Sequence, residues 1–385
     1  MTAAGNQSAH HESRSEQERA RVALVFGGAS TEHGVSCLTA ASIAAAIDPD
    51  RYEVVGIGIT TEGLWVHVPV DEITALGAEG DELPSVSPHH PECHLLRRAD
   101  GPRLVTVDAG TIRDETPIDV AFSLLHGPFG EDGTIQGMFE MLGVRYVGSG
   151  VAASANGMDK HLMKTAFADA GLPVGPYTVI TPADWENHPD EARGRVEALG
   201  FPVFVKPARG GSSVGISRVT RREELDDALI EARRHDPKIV VEAGFVGARE
   251  LECAVLGSFE GPPRASAISE IVMHTNDGFY DFESKYNPAE GAMELVVPAH
   301  LSEETTEALR RLAVWAFTAM GCEGLARVDC FLTAENELFV NEINTMPGMT
   351  EFSGYPKMWQ AAGMPYRELV TELIELGLRR PLGLR

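Results

Sequence analysis

The chain is short of basic residues. Lys and Arg number 32 against 57 Asp and Glu in 385 residues, for a formal net charge of −25. Such a balance offers no broad basic face for nucleic acid or an anionic membrane surface. A locally basic pocket is still compatible with it. Long apolar runs are also missing, and no stretch approaches the roughly 20 residues that span a bilayer as a helix. The first residues, MTAAGNQSAHHESRSEQERA, lack the apolar centre of a signal peptide. Their polarity leads us to expect a disordered tail over residues 1–20. Cysteine is sparse. Cys37, Cys93, Cys253, Cys322 and Cys330 are scattered without metal-binding spacing. Their mostly apolar contexts suit buried free thiols in a reducing cytoplasm.

The length suits two or three domains. Arg21 to Phe26 has the pattern of a buried strand and leads into the turn Gly27-Gly28-Ala29-Ser30. An Ala-rich helix follows over Val35 to Ile47, then a strand over Val54 to Thr60. Strand, Gly-rich turn, helix and strand open a parallel α/β unit. Residues 68–117 are rich in Pro, His and acids and read as a long excursion with one weak strand near Leu104 to Val107. A buried strand ends at His126-Gly127 and leads through GPFGEDGT to a helix over Ile135 to Leu142. Gly148-Ser149-Gly150 marks a boundary. The next block predicts a helix over Asp159 to Ala170, a polar helix over Ala183 to Leu199, and short strands around them, as in a small α+β domain. The last block predicts several strands, a helix over Ser302 to Met320, a hairpin, and a closing helix over Tyr366 to Leu378. The boundaries expected are 21–150, 151–243 and 244–385.

The hairpin is the most informative stretch. In LARVDCFLTAENELFVNEINTMPGMT, two apolar strands flank a polar turn over Thr333 to Glu337. Strand alternation places Arg327 and Asp329 on one face, and Glu342 and Asn344 together on one face of the partner. Oxygen donors from Asp329, Glu342 and Asn344 would then converge. Hard oxygen donors without Cys or His suit Mg²⁺. The alternative is a surface hairpin with solvated acids. The Pro347-Gly348 turn brings backbone N–H groups beside the acids.

KPARGGSSVG, residues 206–215, joins two strands. Its glycines and small hydroxyls let backbone N–H groups approach an anion, and Lys206 adds a cation. It is not a Walker A loop, since Gly-Lys-Ser/Thr is missing and no helix follows. A flexible turn is the competing reading. Glu32 precedes the first helix, where a carboxylate is favourable in its own right; the alternative is an anchor for a substrate ammonium. Glu242 ends one strand and Glu250 opens another, so they are either solvated acids or holders of a ribose and an adenine amine. The loop containing Tyr280, Lys285 and Tyr286 has the length and composition of a lid or binding loop.

Seven motifs in order, GGASTEHGVS, LLHGPFGEDGTIQG, YVGSGVAAS with MDK, VKPARGGSSVG, YDFESKY, ARVD and NEINTMPGMT, resemble the ATP-grasp superfamily and, within it, the D-alanine:D-alanine ligase family. The likeness runs from Val22 to about Leu376 and is loose across residues 68–117. It implies a three-domain α/β (α+β) ATP-grasp architecture with an N-terminal parallel α/β domain. The implied activity is ATP-dependent joining of two D-alanine molecules through an acyl phosphate, for peptidoglycan precursor synthesis. Asp329, Glu342 and Asn344 would be ligands of two Mg²⁺ ions, with Mn²⁺ a substitute. Lys160, Lys206, Lys285 and Asn341 would contact nucleotide or phosphates, and Glu242 and Glu250 adenine and ribose. Ser212 and Ser213 would lie in a closing loop. Glu32 and His126 would serve the first D-alanine, Arg327 and the backbone near Gly348 the developing oxyanion, and Ser353 the second D-alanine. Tyr286 would mark a peptide-forming rather than ester-forming relative. The family pattern is departed from at Gly210, Ala243 and Gly354. A homodimer follows by analogy, and neither nucleic acid nor membrane is implied as a partner. Two rivals remain: another carboxylate–amine or carboxylate–hydroxyl ligase of the superfamily, and a nucleotide-binding protein without ligase activity.

Overall fold

Val22 to Phe26 are almost completely inaccessible, as expected of a parallel strand covered on both faces. They form β1 (Ala20–Gly27), near the middle of the first of the three sheets found among the described residues of a computed structural model. The structure describes residues 19–77, 82–211, 214–258, 261–274 and 293–383. From β1 the chain passes through α1 (His33–Ala46) to β2 (Tyr52–Ile59), β3 (Trp65–Val68) and α2 (Val70–Thr74). Next come β4 (Glu92–Arg98), β5 (Gly101–Asp108), β6 (Thr111–Pro117), β7 (Val120–Ser123), α3 (Thr134–Leu142) and β8 (Arg145–Tyr146). The sheet order is β6-β5-β4-β3-β2-β1-β7-β8, with β2, β1, β7 and β8 parallel.

The excursion expected over 68–117 is therefore an antiparallel extension of this sheet, and the single weak strand is corrected to three, β4, β5 and β6. The sequence signal is weak because β4 buries only Cys93 and Leu95, while β6 is exposed over its first four residues. Pairing with β5, rather than intrinsic preference, makes β6 a strand.

The second sheet is preceded by α4 (Val151–Met158), which sequence analysis missed, and α5 (Lys160–Asp169), the helix expected over Asp159 to Ala170. Asp159 breaks them with an extended backbone and caps α5 by accepting from the His161 and Leu162 amides. Then come β9 (Tyr177–Ile180), α6 (Pro182–Asn187), α7 (Pro189–Glu197), β10 (Val203–Pro207), β11 (Ser217–Val219), α8 (Leu225–His235) and β12 (Ile239–Ala243). The single polar helix expected over Ala183 to Leu199 is two. Pro189 disfavours helical backbone at His188 and lacks an N–H, so the helix restarts. The sheet order is β11-β10-β12-β9, all antiparallel.

The third sheet contains β13 (Arg249–Ser258), β14 (Gly261–Met273), β15 (Met293–Val296), β16 (Gly324–Leu332) and β17 (Leu338–Asn344), ordered β15-β14-β13-β16-β17. α9 (Glu303–Ala319) buries Leu309, Leu312, Ala316 and Phe317 against one face of this sheet, together with Met163 and Phe167 of α5. The other face takes α10 (Gly354–Ala361), which sequence analysis missed, and α11 (Tyr366–Arg379). Tyr355, Trp359, Leu369 and Leu373 share a core with Ala254, Leu325 and the first sheet's Leu24 and Phe122. All five cysteines are free and buried, as expected. Among the described residues, no helix is long and apolar enough to cross a membrane.

Candidate active site

β16 alternates strictly: Val328 and Cys330 are buried while Arg327 and Asp329 reach the opposite face. The pairing with β17 sets Arg327 opposite Asn344 and Asp329 opposite Glu342, so the convergence expected from alternation is present. Arg327 donates from Nε and one terminal nitrogen to the two oxygens of Asp329, both at 2.7 Å. Asn344 donates its amide to Asp329 at 3.0 Å. A third carboxylate, Glu252, lies across from Asp329 on β13 and reaches Arg327 Nε at 3.1 Å. Burial pushes the Asp329 carboxyl up to about 7; Arg327 opposes this, and Glu252 and Glu342 reinforce it. Burial works against charge on Arg327, but Asp329 and Glu252 outweigh it and keep the guanidinium firmly charged. Among the described residues, no three His, Cys, Asp or Glu side chains form a metal cluster on their own. The donor set is two carboxylates and an amide oxygen, and an acid whose ionisation is disfavoured chiefly by burial, with neighbouring carboxylates adding to it, is one that a divalent cation would ionise. The residues therefore fit Mg²⁺.

Cations from two elements face this hairpin. Lys160 Nζ donates to the Gly210 carbonyl at 2.8 Å and stands 3.9 Å from Glu342. Lys206, on β10, donates to Glu242 of β12 at 3.0 Å. Lys164 approaches the other oxygen of Glu242 at 3.3 Å and donates to the Asn341 carbonyl at 3.1 Å, tying β12 to β17. Burial opposes charge on all three groups of this cluster. It holds the Lys164 ammonium below its usual range, while Glu242 outweighs it at Lys206. At Glu242 the two lysines prevail and pull the carboxyl down to about 2. Burial raises Glu250, with Lys206 opposing. Beside the cluster is a narrow cleft between the second and third sheets, lined by Pro176, Glu242, Ala243, Phe245, Phe331, Val340 and Asn341. Phe245 packs on Phe331 and Phe339 at 5.1 and 4.8 Å between centroids. These rings form an apolar wall with polar groups at one end.

Glu32 stands at the start of α1 but makes no side-chain capping bond to it. Its carboxylate lies against two loops. A Cβ added at Gly127 would stand 2.7 Å from Glu32 Oε2, and one at Gly211 would stand 3.4 Å from it. Gly127 has φ +68, so any other residue there would be strained as well as crowded. Ser30 donates to the carbonyl of the buried His126, which brings the two predicted first-substrate residues to adjoining loops.

The turn after β17 forms the other side. Ser353 Oγ is 2.7 Å from Thr350 Oγ1, and a Cβ at Gly348 would stand 3.2 Å from Ser353 Oγ. Tyr366 of α11 donates to the Met349 carbonyl at 2.7 Å, and Ser42 of α1 accepts from the Glu351 amide at 3.0 Å. The Ser42 and Tyr366 hydroxyls are themselves 3.0 Å apart. The helix that begins at Glu32 is thereby joined to the turn that carries Ser353.

Of the residues singled out from sequence, Glu32, His126, Lys160, Lys206, Glu242, Glu250, Arg327, Asp329, Asn341, Glu342, Asn344, Gly348 and Ser353 lie on these facing elements. Ser212, Ser213, Lys285 and Tyr286 lie outside the described residues. Sequence reasoning missed Lys164 and Glu252, although both carried a signal. Lys164 is one helical turn beyond Lys160, and Glu252 is two residues beyond Glu250 on a strand; each therefore shares its neighbour's face.

The family models described as D-ala D-ala ligase N-terminus and D-ala D-ala ligase C-terminus match residues 21–149 and 166–375. The chain is 50% identical over 370 residues to a D-alanine--D-alanine ligase of Paenarthrobacter aurescens, covering 95% of this chain and 97% of that one. It is 48% identical to a D-alanine--D-alanine ligase of Streptomyces griseus, covering 96% and 95%. Among solved structures, it is similar to the VanG D-Ala:D-Ser ligase of Enterococcus faecalis, with TM-score 0.79, 30% identity, and coverage of 94% and 100%. The D-alanine-D-alanine ligase of Coxiella burnetii matches with TM-score 0.77, 32% identity, and 94% coverage of both chains.

Proposed function

The chain belongs to the D-alanine--D-alanine ligase family, and from that premise we propose that it joins two D-alanine molecules into D-alanyl-D-alanine, with ATP converted to ADP and phosphate. The product would serve peptidoglycan precursor synthesis in the cytoplasm. The observation that carries the reading is Arg327, Asp329, Glu342 and Asn344 brought together across β16 and β17, facing Lys160 and Lys206.

A free carboxylate is a poor acyl donor because its leaving group would be oxide. Transfer of the ATP γ-phosphoryl group to the first D-alanine carboxylate gives an acyl phosphate. The second D-alanine amine then forms the C–N bond, phosphate departs, and the nitrogen loses its proton. Asp329, Glu342 and Asn344 would hold two Mg²⁺ ions, or Mn²⁺ in their place, supplying charge neutralisation at the phosphate oxygens. Lys160 and Lys206 would add fixed positive charge beside them, and the cleft at Phe245 would take adenine. Glu250 would meet the ribose. Arg327 and the backbone near Gly348 would meet the developing oxyanion. Glu32 would bind the first ammonium, with His126 beside it, and Ser353 the second carboxylate. Ser212, Ser213, Lys285 and Tyr286 are assigned to lid and nucleotide contacts on sequence grounds alone. We read three domains, 21–150, 151–243 and 244–385, and a homodimer by analogy.

The test is ADP release that depends on D-alanine and Mg²⁺, with the product identified by mass. D-serine and D-lactate serve as competing acceptors, since one solved relative is a D-Ala:D-Ser ligase. ADP release without D-alanine, or a main product other than the dipeptide, would overturn the reading.

Glu32→Gln separates substrate binding from helix support. The amide keeps the shape but removes the charge partner of an ammonium, and charge-assisted bonds contribute about 1.5–3 kcal/mol. Apparent affinity for the first D-alanine should fall roughly tenfold or more, with melting little changed. An unchanged affinity with lower melting would assign Glu32 to helix stability.

A further inference from the structure

We propose that Glu252 is a positioning residue for Arg327, holding its guanidinium in place when a cation engages Asp329. The proposal rests on the reading above, in which Asp329 is a metal ligand and Arg327 meets the reacting carbonyl. Arg327 Nε is shared between Asp329 at 2.7 Å and Glu252 at 3.1 Å, while a second nitrogen binds Asp329 alone. A cation at Asp329 draws electron density from the same two oxygens that accept from Arg327. The arginine then needs an anion that the metal does not claim.

Glu252 is built for this. It is almost fully buried on the central strand β13. Its Oε1 faces Arg327, and its Oε2 accepts the hydroxyl of Ser269 on β14 at 3.0 Å. Ser269 is inaccessible to solvent and packs on Met358 of α10. The carboxylate is thus fixed from one side and aimed from the other. Gly354 completes the arrangement: a Cβ there would stand 3.3 Å from Glu252 Oε2 and 3.5 Å from Leu295 Cδ2. A larger residue at 354 would press on the carboxylate that positions Arg327, which gives a physical reason for the Gly at this departure from the family pattern.

Glu252→Gln keeps the shape of the side chain and removes its charge. With that anion gone, Arg327 should bind Asp329 more tightly and compete with the metal. Binding of Mn²⁺ in the presence of ADP, followed by the electron paramagnetic resonance of the free ion, should then need several-fold more Mn²⁺ for half-saturation. kcat should fall about tenfold or more, as for loss of a charge-assisted bond, with KM for ATP near the wild-type value at saturating Mg²⁺. Adding Glu252→Gln to Arg327→Lys should cost little more than Arg327→Lys alone. Ser269→Ala should move the same readouts in the same direction by less, and it carries the test if Glu252→Gln fails to fold. Wild-type Mn²⁺ binding with kcat within about twofold of wild type, below what one such bond supplies, would overturn the proposal. So would additive losses in the double variant. If the wild type fails to join D-alanine but Mn²⁺ binding still weakens in Glu252→Gln, the substrate assignment falls and the positioning role stands.

Discussion

Asp329→Asn should lower turnover by about a thousandfold or more, since contacts to a catalytic cation supply several kcal/mol and each ~1.4 kcal/mol is a factor of ten. Its fold should survive. The substitution preserves volume, and Glu252 still gives Arg327 an anionic partner. Metal-free stability should not fall for want of the charge, and the sign follows from the direction of the shift. The folded-state carboxyl is raised to about 7, above an unfolded value near ~3.9. Ionised Asp329 is therefore a cost to the cation-free fold, one that grows between the two values as pH rises. An Asn relieves it. Melting of metal-free Asp329→Asn at pH 7 should stay near wild type, the lost acceptor offsetting the relieved charge, while D-alanine-dependent ADP release is lost. Glu342→Gln should also lose activity. Turnover within about tenfold of wild type, too small a loss for a metal ligand, would remove Asp329 from the metal site.

The second large effect is on stability. Glu242→Leu removes the single carboxylate that both Lys164 and Lys206 address at 3.3 and 3.0 Å. Two largely buried ammonium groups are then left without it. Removing one partner of a buried ion pair costs about 3–5 kcal/mol, most of it the penalty for the charge left behind. Glu242→Leu should therefore lower the urea midpoint markedly, whereas Glu242→Leu with Lys206→Met should recover part of the loss. The pH dependence has a definite sign. The folded carboxyl is depressed to about 2, below an unfolded value near ~4.3. Its contribution is full above the unfolded value and fades as pH falls from there toward 2. The stability gap between wild type and Glu242→Leu should therefore narrow as pH is lowered below about 4.3. A gap that is small at pH 7, or that does not narrow in acid, would count against the buried ion cluster.

The chemistry of the hairpin was legible in the sequence. Period-two alternation dictates which side chains share a face, so Arg327 with Asp329 and Glu342 with Asn344 needed only the assumption of two strands. The same local rules located α1, β1, α9 and α11 within a few residues. The motif order also identified the family, because it depends only on residue identity along the chain. Other features depended on partners distant in sequence. β6 exists because β5 offers it a ladder, and its own residues carry almost no apolar pattern. Lys164 and Glu252 look like ordinary surface charges until α5 packs on β17 and β13 pairs with β16. Lys206 and Glu242 could each be read separately as a ligand contact, and only the register of β10 against β12 places them on one another. The sequence by itself determined which chemical groups are present and which neighbours share a face, since those follow from the backbone repeat. The tertiary structure decided which charges meet, how deeply they are buried and where their pKa values move, because Coulomb interaction and desolvation depend on distance and surroundings rather than on order along the chain.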